Sequence, residues 1–306
     1  MTRRCLSLNH VSGIYAALLT PFHENQSIHK EALQQLVARM IANGVHGLFA
    51  LGTNGEFHTL TPQEKCEVAT IVLTEAKGKV PVMLGVGGNY TGEVIQLAKQ
   101  FEQLGATMFS VITPYFMPPN QSELANYFED IANATKVPIF LYNIPSKTGV
   151  SIDPLTVARL AKHPNIYGIK DSSGDFQLIQ SYIRHTQEED FVVFAGTDSL
   201  ILKTLQEGGG GAVAATANAL PKLVSSIFTY FKNGQLEEAE KAQAQLQPLR
   251  DTFSLSTIPA SLKKVVELSG IPVGPPRRPV QPVDSNALRQ IETMMRTYRA
   301  EGVLDE

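Results

Sequence analysis

The stretch Val137-Pro138-Ile139-Phe140-Leu141-Tyr142 has no charged residue and no polar alternation before Asn143 ends it. A strand with one solvated face alternates polar and apolar side chains, whereas a continuously apolar strand is covered on both faces. Strands covered on both faces occur in parallel sheets that are flanked by helices. The stretch therefore predicts an α/β protein.

Seven further stretches repeat this pattern, and amphipathic helical segments separate them. They cover residues 14–19, 47–51, 80–86, 108–113, 166–169, 191–195 and 211–215. Eight such strands predict a closed (β/α)8 TIM barrel, which leaves no strand at an edge. A doubly wound dinucleotide-binding sheet would show G-x-G-x-x-G after its first strand, and Thr20-Pro21-Phe22 stands there instead.

Helical patterns fill the intervals and continue beyond the eighth strand. We predict helices at 31–42, 62–76, 93–104, 123–134, 154–161, 176–184, 199–206 and 221–232, and then at 235–253, 258–268 and 285–299. Thr61-Pro62-Gln63-Glu64 carries an N-cap, a proline at the first helical position and a glutamate at the third. We divide the chain into a barrel, residues 1–234, and a C-terminal helical domain, residues 235–306.

Composition excludes several classes of partner. The chain has 306 residues, with 26 Lys plus Arg against 29 Asp plus Glu, so it lacks the basic excess of a nucleic-acid-binding protein. No apolar stretch approaches the ~20 residues of a membrane span. The segment 1–12 has two arginines with no apolar region behind them. We predict a cytoplasmic protein that contacts neither nucleic acid nor membrane.

Cysteine and histidine spacing argues against a disulfide framework and a metal site. Cys5 and Cys66 are the only cysteines, and the seven histidines include no H-x-H or H-x-x-x-H pair. The run of four glycines at 208–211 precedes a strand and opens no helix, which favours a tight turn at the bottom of the barrel over a phosphate loop.

Active sites of such barrels lie at the carboxyl ends of the strands, where Lys170 stands out. It follows the apolar run 166–169, which points it toward the barrel interior, while most other lysines fall on helices or in loops. Burial favours the neutral form of an amine, and a neutral amine can attack a ketone. The competing interpretation is a structural ion pair at the barrel rim, for example with Asp171.

Two further candidates follow neighbouring strands. Tyr142 ends the fifth strand, and its phenol can relay a proton or simply anchor its ring in the core. Gly52-Thr53-Asn54-Gly55-Glu56 follows the second strand. Its glycines permit close approach of the backbone, and its hydroxyl, amide and N–H groups suit a small carboxylate; a plain glycine turn is the alternative.

Together these motifs resemble the pyruvate-dependent class I aldolase family that contains dihydrodipicolinate synthase and N-acetylneuraminate lyase. The resemblance covers nearly the whole chain. It is carried by Gly52-Thr53-Asn54-Gly55-Glu56, Thr113-Pro114-Tyr115, Tyr142-Asn143-Ile144-Pro145, Gly168-Ile169-Lys170-Asp171-Ser172 and Gly196-Thr197-Asp198. It implies a barrel with C-terminal helices, usually a homotetramer, that joins or cleaves a carbon–carbon bond between pyruvate and an aldehyde.

The resemblance also assigns roles within the site. It makes Lys170 the Schiff-base lysine and Tyr142 the proton relay, with Thr53 and Asn54 as the groups that bind the pyruvate carboxylate. The remaining substrate-binding positions that it implies are Gly52, Tyr115, Lys147, Gly196 and Val213. The substrate partners are pyruvate or another 2-oxo acid and an aldehyde, and no metal or organic cofactor is implied.

Two departures bear on the second substrate. In the dihydrodipicolinate branch, position 116 is ordinarily a tyrosine that completes a relay with Tyr142 and Thr53, and position 147 is an arginine that binds a carboxylate. Phe116 cannot carry a proton, and Lys147 lacks a planar fork of donors. Asn54 in place of a second threonine resembles the 4-hydroxy-2-oxoglutarate and sugar-acid aldolase branches. We therefore favour a hydroxylated 2-oxo acid as substrate.

Three alternatives stay open at this point. The first is dihydrodipicolinate synthase itself, which condenses pyruvate with aspartate semialdehyde. The second is a non-catalytic subunit that binds a keto acid, its relay weakened by Phe116. The third is a phosphosugar enzyme, which rests only on the barrel fold and on the glycines at 208–211.

Overall fold

The computed structural model describes residues 11–304. Cys5, His10 and the first ten residues of the segment 1–12, which we examined as a targeting segment, lie outside this range. Within it, Cys66 is a free, half-buried thiol. No helix among the described residues is long and apolar enough to cross a membrane.

Eight parallel strands close into a barrel in chain order, as predicted. They are β1 (Gly13–Ala17), β2 (Gly47–Ala50), β3 (Val82–Val86), β4 (Phe109–Ile112), β5 (Ile139–Asn143), β6 (Ile166–Asp171), β7 (Val192–Ala195) and β8 (Gly211–Ala214). The barrel closes where β1 pairs with β8. Past the strand ends, the Asn218 side chain accepts the Leu19 N–H at 3.1 Å and donates to the Ala17 carbonyl at 2.8 Å, which secures that seam.

Helices follow the strands and cover the outside of the barrel. They are α1 (Lys30–Ala42), α2 (Pro62–Ala76), α3 (Thr91–Gln103), α4 (Gln121–Ala134), α5 (Pro145–Thr148), α6 (Pro154–Ala161), α7 (Phe176–Thr186), α8 (Ile201–Gln206) and α9 (Pro221–Lys232). The capping box predicted for α2 is present, since Thr61 and Glu64 bond each other's backbone N–H groups. The four-residue helix α5 has no counterpart among the predicted helices, because it is too short to show a period.

Large side chains fill the barrel interior. A cluster of buried residues inside the barrel comprises Val11, Tyr15, Ala17, Phe49, Met83, Met108, Phe140, Phe194 and Val213. The Tyr15 and Phe194 rings meet edge to face with centroids 5.4 Å apart. This packed interior restricts the open end of the barrel to the carboxyl ends of the strands.

The glycine run 208–211 lies between α8 and β8, at the amino end of that strand. A Cβ atom at Gly209 would lie 2.4 Å from Thr204, and one at Gly210 would lie 2.3 Å from Val192. Gly211 combines a φ of +145° with a Cβ position 2.0 Å from the Gly13 carbonyl oxygen. Close backbone packing therefore explains the run, as the turn interpretation predicted.

The C-terminal segment is helical, with one difference from prediction. It contains α10 (Leu236–Ala244), α11 (Gln247–Asp251), α12 (Ala260–Leu268) and α13 (Ser285–Ala300). The continuous helix predicted at 235–253 is wrong, because Pro248 has no N–H to donate and its ring would clash with the Ala244 carbonyl. Helix α10 packs against α9 of the barrel. The domain division at 234/235 stays a prediction.

Candidate active site

Lys170 lies near the carboxyl end of β6 and is 3% exposed. Its Nζ lies 4.1 Å from the centroid of the Tyr142 ring and 4.8 Å from that of Phe49. Tyr142 is its direct partner across the β5–β6 pair, so the predicted adjacency of the two residues is confirmed. The amine therefore sits between two aromatic side chains at the mouth of the packed interior.

The structural ion pair with Asp171 does not form. Consecutive residues of a strand point to opposite sides, so Asp171 faces away from Lys170. Its carboxylate accepts the Asn143 amide at 2.7 Å and the Ser173 hydroxyl at 2.5 Å, and burial raises its pKa despite these bonds. Within residues 11–304, no carboxylate lies within ion-pair distance of Lys170.

Thr53 and Tyr142 form the polar part of the site. Their hydroxyl oxygens are 3.0 Å apart, and either can donate the hydrogen. Thr53 comes from the loop after β2 and is half-buried, while Tyr142 is 3% exposed. The Phe49 and Tyr142 rings meet edge to face with centroids 6.2 Å apart, which fixes the phenol. A hydroxyl pair beside a buried amine can pass a proton to and from a bound substrate.

Two glycines among the predicted substrate-binding residues leave space around Lys170. A Cβ at Gly52 would lie 2.3 Å from the Phe49 ring, which forms one wall beside Lys170. A Cβ at Gly196 would lie 2.0 Å from the Ser172 hydroxyl and 2.8 Å from Cε of Lys170. Any side chain at position 196 would thus displace the lysine.

Asn54 borders the C-terminal segment. It lines a cavity of about 10 Å³ together with Phe253, Ser256 and Ile258, among others. Val213 is buried in the barrel interior cluster that also contains Phe49. The side chains of Lys170, Tyr142 and Thr53 are thus gathered at one place, with Asn54 at its border.

The model of the dihydrodipicolinate synthetase family matches residues 10–298. The chain belongs to that family. The family's enzymes are class I, Schiff-base-forming, pyruvate-dependent aldolases and lyases, and this chain is an enzyme of that class. Membership of this family argues against two of the alternatives, namely a non-catalytic subunit that binds a keto acid and a phosphosugar enzyme.

Relatives and solved structures agree over almost the whole chain. A 4-hydroxy-tetrahydrodipicolinate synthase of Methanopyrus kandleri is 37% identical over 97% of this chain and 98% of its own length. The crystal structure of a dihydrodipicolinate synthase from Bacillus anthracis superposes with a TM-score of 0.90 at 30% identity, covering 94% and 98% of the two chains. A prophage protein of the same family from Escherichia coli K12, in complex with pyruvate, matches with the same TM-score, identity and coverage.

Position 116 departs from the relay that the family resemblance led us to expect. Phe116 is 88% exposed and has a φ of +74°, a conformation that costs energy for a residue with a side chain. Thr53 and Tyr142 bond each other without it. Within one chain, therefore, the side chain at position 116 is not part of the Thr53–Tyr142 hydroxyl pair.

Two other predicted substrate-binding residues lie at the rim. Tyr115 is half-buried, and its N–H donates to the Asn89 side chain at 2.8 Å, which ties the loop after β4 to the loop after β3. Lys147 is exposed on the short helix α5. Among the described residues, no hydrogen bond, ion pair or ring contact joins Lys147 to Lys170 or Tyr142.

Sequence reasoning missed residues that support the loops. Glu56 and Lys263 form a buried ion pair between the loop after β2 and α12. Asp198 accepts the Thr216 N–H at 2.7 Å and joins the loops after β7 and β8. Glu56 and Asp198 both stand in the motifs that carry the family resemblance, but neither they nor Lys263, which Lys264 follows in the predicted helix, gave a signal of burial.

One group of potential metal ligands lies outside this site. His23, His29 and Glu31 place ligand atoms within 4.8 Å of one another, the one such group found in the part of the chain that the structure describes. A tight hairpin brings the two histidines together, and their rings stack with centroids 4.0 Å apart. His29 also accepts the Ala32 N–H at 3.4 Å, so it caps α1. The spacing rules for histidine pairs do not detect such a hairpin.

Proposed function

We propose that Lys170 forms a Schiff base with the ketone of pyruvate. The observation that carries this proposal is the position of its Nζ, which lies between the Tyr142 and Phe49 rings beside the Thr53–Tyr142 hydroxyl pair. Aromatic walls and the lack of a carboxylate partner within residues 11–304 leave the amine available for a covalent bond. The family supports the same chemistry.

The reaction proceeds through an imine and an enamine. Nζ attacks the ketone carbon of pyruvate, and the former carbonyl oxygen takes up protons and leaves as water, which gives a protonated imine. Loss of a proton from the methyl carbon yields an enamine. That carbon then bonds to the carbonyl carbon of an aldehyde, whose oxygen takes up a proton, and hydrolysis frees the amine. Tyr142, bonded to Thr53, is placed to move these protons.

The other residues bind and shape the substrate in this proposal. Thr53 and Asn54 bind the carboxylate of pyruvate, and Gly52 and Gly196 leave room for it. Val213 lines the pocket, while Tyr115 and Lys147 meet the second substrate at the rim. A lysine at the rim attracts an anionic group without the directional fork that an arginine provides.

The first candidate for the second substrate is aspartate semialdehyde. Relatives that are 34–38% identical over at least 92% of this chain, from archaea and bacteria, are named 4-hydroxy-tetrahydrodipicolinate synthase. The exposed position of Phe116 supports this candidate, because within one chain the missing hydroxyl does not interrupt the Thr53–Tyr142 pair. The comparisons with relatives thus favour aspartate semialdehyde over the hydroxylated 2-oxo acid that the sequence alone suggested.

The second candidate is cleavage of a hydroxylated 2-oxo acid, of the 2-keto-3-deoxy sugar acid or 4-hydroxy-2-oxoglutarate type. Two residues favour it, namely Asn54 and Lys147. A substrate whose distal end carries hydroxyl groups needs no bidentate cation, so Lys147 suits it.

A product assay separates the two candidates. The parent enzyme is given pyruvate with aspartate semialdehyde, and separately 2-keto-3-deoxygluconate, 4-hydroxy-2-oxoglutarate and N-acetylneuraminate. Formation of a dihydrodipicolinate-type product as the fastest reaction supports the first candidate, and release of pyruvate from a hydroxylated acid as the fastest supports the second. Borohydride reduction with pyruvate followed by peptide mass spectrometry tests the proposal that both share: an adduct on any residue other than Lys170 contradicts it.

A homotetramer and a cytoplasmic location, both expected from the sequence, remain predictions. Analytical ultracentrifugation of the purified chain measures the first. Fractionation of the cells that make it measures the second.

A further inference from the structure

A buried ion pair connects the C-terminal segment to the loop that carries Thr53 and Asn54. Lys263 of α12 places its Nζ 2.7 Å from Oε1 of Glu56, and both side chains are 2% exposed. Glu56 is the last residue of the sequence Gly52-Thr53-Asn54-Gly55-Glu56. The pair therefore joins a helix outside the barrel to the edge of the candidate site.

Polar groups and an aromatic ring surround the pair. The Lys263 ammonium donates to the Pro275 carbonyl at 3.0 Å and lies 4.2 Å from the centroid of the Phe22 ring. The second oxygen of Glu56 accepts the backbone N–H of Arg277 at 2.8 Å. Burial lowers the pKa of Lys263 to about 8, against the opposing effect of Glu56. Apolar residues of similar size often stabilise a protein as well as such a pair, so stability alone does not account for it.

Glu56 also determines the shape of its loop. Its backbone has a φ of +54°, in the left-handed region that residues with side chains seldom adopt. Its N–H donates to the Thr53 carbonyl at 3.1 Å, and the Gly55 carbonyl accepts the Thr20 hydroxyl at 2.7 Å. Because the Thr53 hydroxyl lies 3.0 Å from that of Tyr142, displacement of Glu56 would move a group of the site itself.

We propose that Glu56 and Lys263 are positioning residues, which hold Thr53 and Asn54 where the carboxylate of the keto acid binds. Through them the C-terminal helices set the affinity of the site for pyruvate. Neither residue touches substrate. The inference rests on the proposed function for the roles of Thr53 and Asn54, whereas the effect of the pair on the loop is independent of it.

Removal of both charges together is the most direct test. Glu56→Gln alone would leave a buried ammonium without its partner, which can unfold the chain, so the variant is E56Q/K263M. Glu56→Asp is the second variant: it keeps both charges and shortens the side chain by one methylene. Two quantities are measured, namely the pyruvate concentration that gives half-maximal borohydride trapping and the exchange rates of the amide hydrogens of residues 52–57.

We expect E56Q/K263M to need about tenfold more pyruvate for half-maximal trapping, because small displacements of binding groups are costly, while trapping at saturation stays complete. We expect the amides of Glu56 and Phe57 to exchange faster by a similar factor. Glu56→Asp should shift both quantities in the same direction by less.

Lys264→Met is the matched control. It removes the charge at the neighbouring position of α12, where Lys264 bonds the exposed Glu267 of the same helix. It should leave both quantities unchanged.

A folded double variant whose half-maximal concentration and exchange rates equal those of the parent would overturn the proposal, whatever its melting temperature. If the double variant does not fold, the proposal is overturned by a Glu56→Asp variant whose half-maximal concentration and exchange rates equal those of the parent. If the parent protein traps no pyruvate, the proposed function is refuted instead. The amide exchange rates alone then decide whether the Glu56–Lys263 pair positions the loop.

Discussion

Lys170 and Tyr142 are direct partners across strands β5 and β6, and the Lys170 amine lies 4.1 Å from the centre of the tyrosine ring. Neighbouring parallel strands present in-register residues on the same face, so the barrel itself brings the two groups together. The phenol oxygen reaches beyond its ring to Thr53. The positions of the amine and of the proton-carrying hydroxyl thus follow from the fold.

Lys170→Ala should remove the nucleophile and leave the fold intact. We expect turnover below ~10⁻³ of the parent value, since loss of a covalent nucleophile removes the reaction path itself. No borohydride adduct should form, and the circular dichroism spectrum should match that of the parent. Lys147→Ala is the control, because Lys147 is exposed at the rim, and it should still form the adduct. Loss of folding on substitution of Lys170 would favour a structural role.

Tyr142→Phe should slow proton transfer without removing the amine. We expect kcat to fall about 10²–10⁴-fold, the usual range for a positioned acid–base group. Thr53→Val should have a smaller effect. The double variant should fall by less than the product of the two effects, since the hydroxyls act as a pair. Multiplicative effects in steady-state kinetics would show that Thr53 and Tyr142 act independently.

Much of the fold could be predicted because each unit of it is local in sequence. Continuous apolar runs marked all eight strands, and the ends of α2, α6 and α9 were predicted to the residue, each beginning with a proline in its first turn. Pro248 is as local a feature as those prolines, and it separates α10 from α11 within the predicted helix 235–253. The path of the chain between the C-terminal helices, at residues 252–259 and 269–284, depends on tertiary packing and has no such local signal.

The positions of the site residues could be predicted where they depend on neighbouring sequence, and could not where they depend on the packing of distant segments. Lys170, Tyr142 and Thr53 end strands or follow them, and topology alone brings strand ends together. Glu56 and Lys263 meet only because α12 folds back over the barrel, which no periodicity encodes. The exposed position of Phe116 depends on its left-handed backbone conformation, and a residue type other than glycine gives no indication of that.

Gly196→Ala should misplace the lysine while the barrel stays folded. The added Cβ would lie 2.0 Å from the Ser172 hydroxyl, 2.8 Å from Cε of Lys170 and 2.9 Å from the Asp171 carbonyl oxygen, and the first two are side-chain atoms that can move. We expect the rate of imine formation to fall about 10²-fold, as for a reacting group displaced by about 1 Å. Gly88→Ala is the matched control, because its Cβ would meet its nearest neighbour at an ordinary 3.5 Å. Equal trapping rates for the two variants would contradict the close fit.

The ion pair between Glu64 and Arg277 should make stability depend on pH in the acid range. Hydrogen bonds from Arg277 lower the pKa of Glu64 from 4.5 to about 2. A carboxyl group with a lowered pKa in the folded state stabilises that state above its unfolded pKa, and this contribution disappears as pH falls through the folded value. Glu64→Gln should therefore be less stable than the parent at pH 7, by about 1–2 kcal/mol for a charged hydrogen bond that is partly exposed.

That difference should narrow as pH falls from about 4.5 and vanish near pH 2, because the parent then loses the same charge. Urea unfolding of both proteins across this range measures it. Glu240→Gln, which changes an exposed carboxylate on α10, should leave the pH dependence of the parent unaltered. A constant difference between the Glu64→Gln variant and the parent at every pH would mean that packing of the Glu64 side chain, and not its charge, stabilises the junction between α2 and the C-terminal segment.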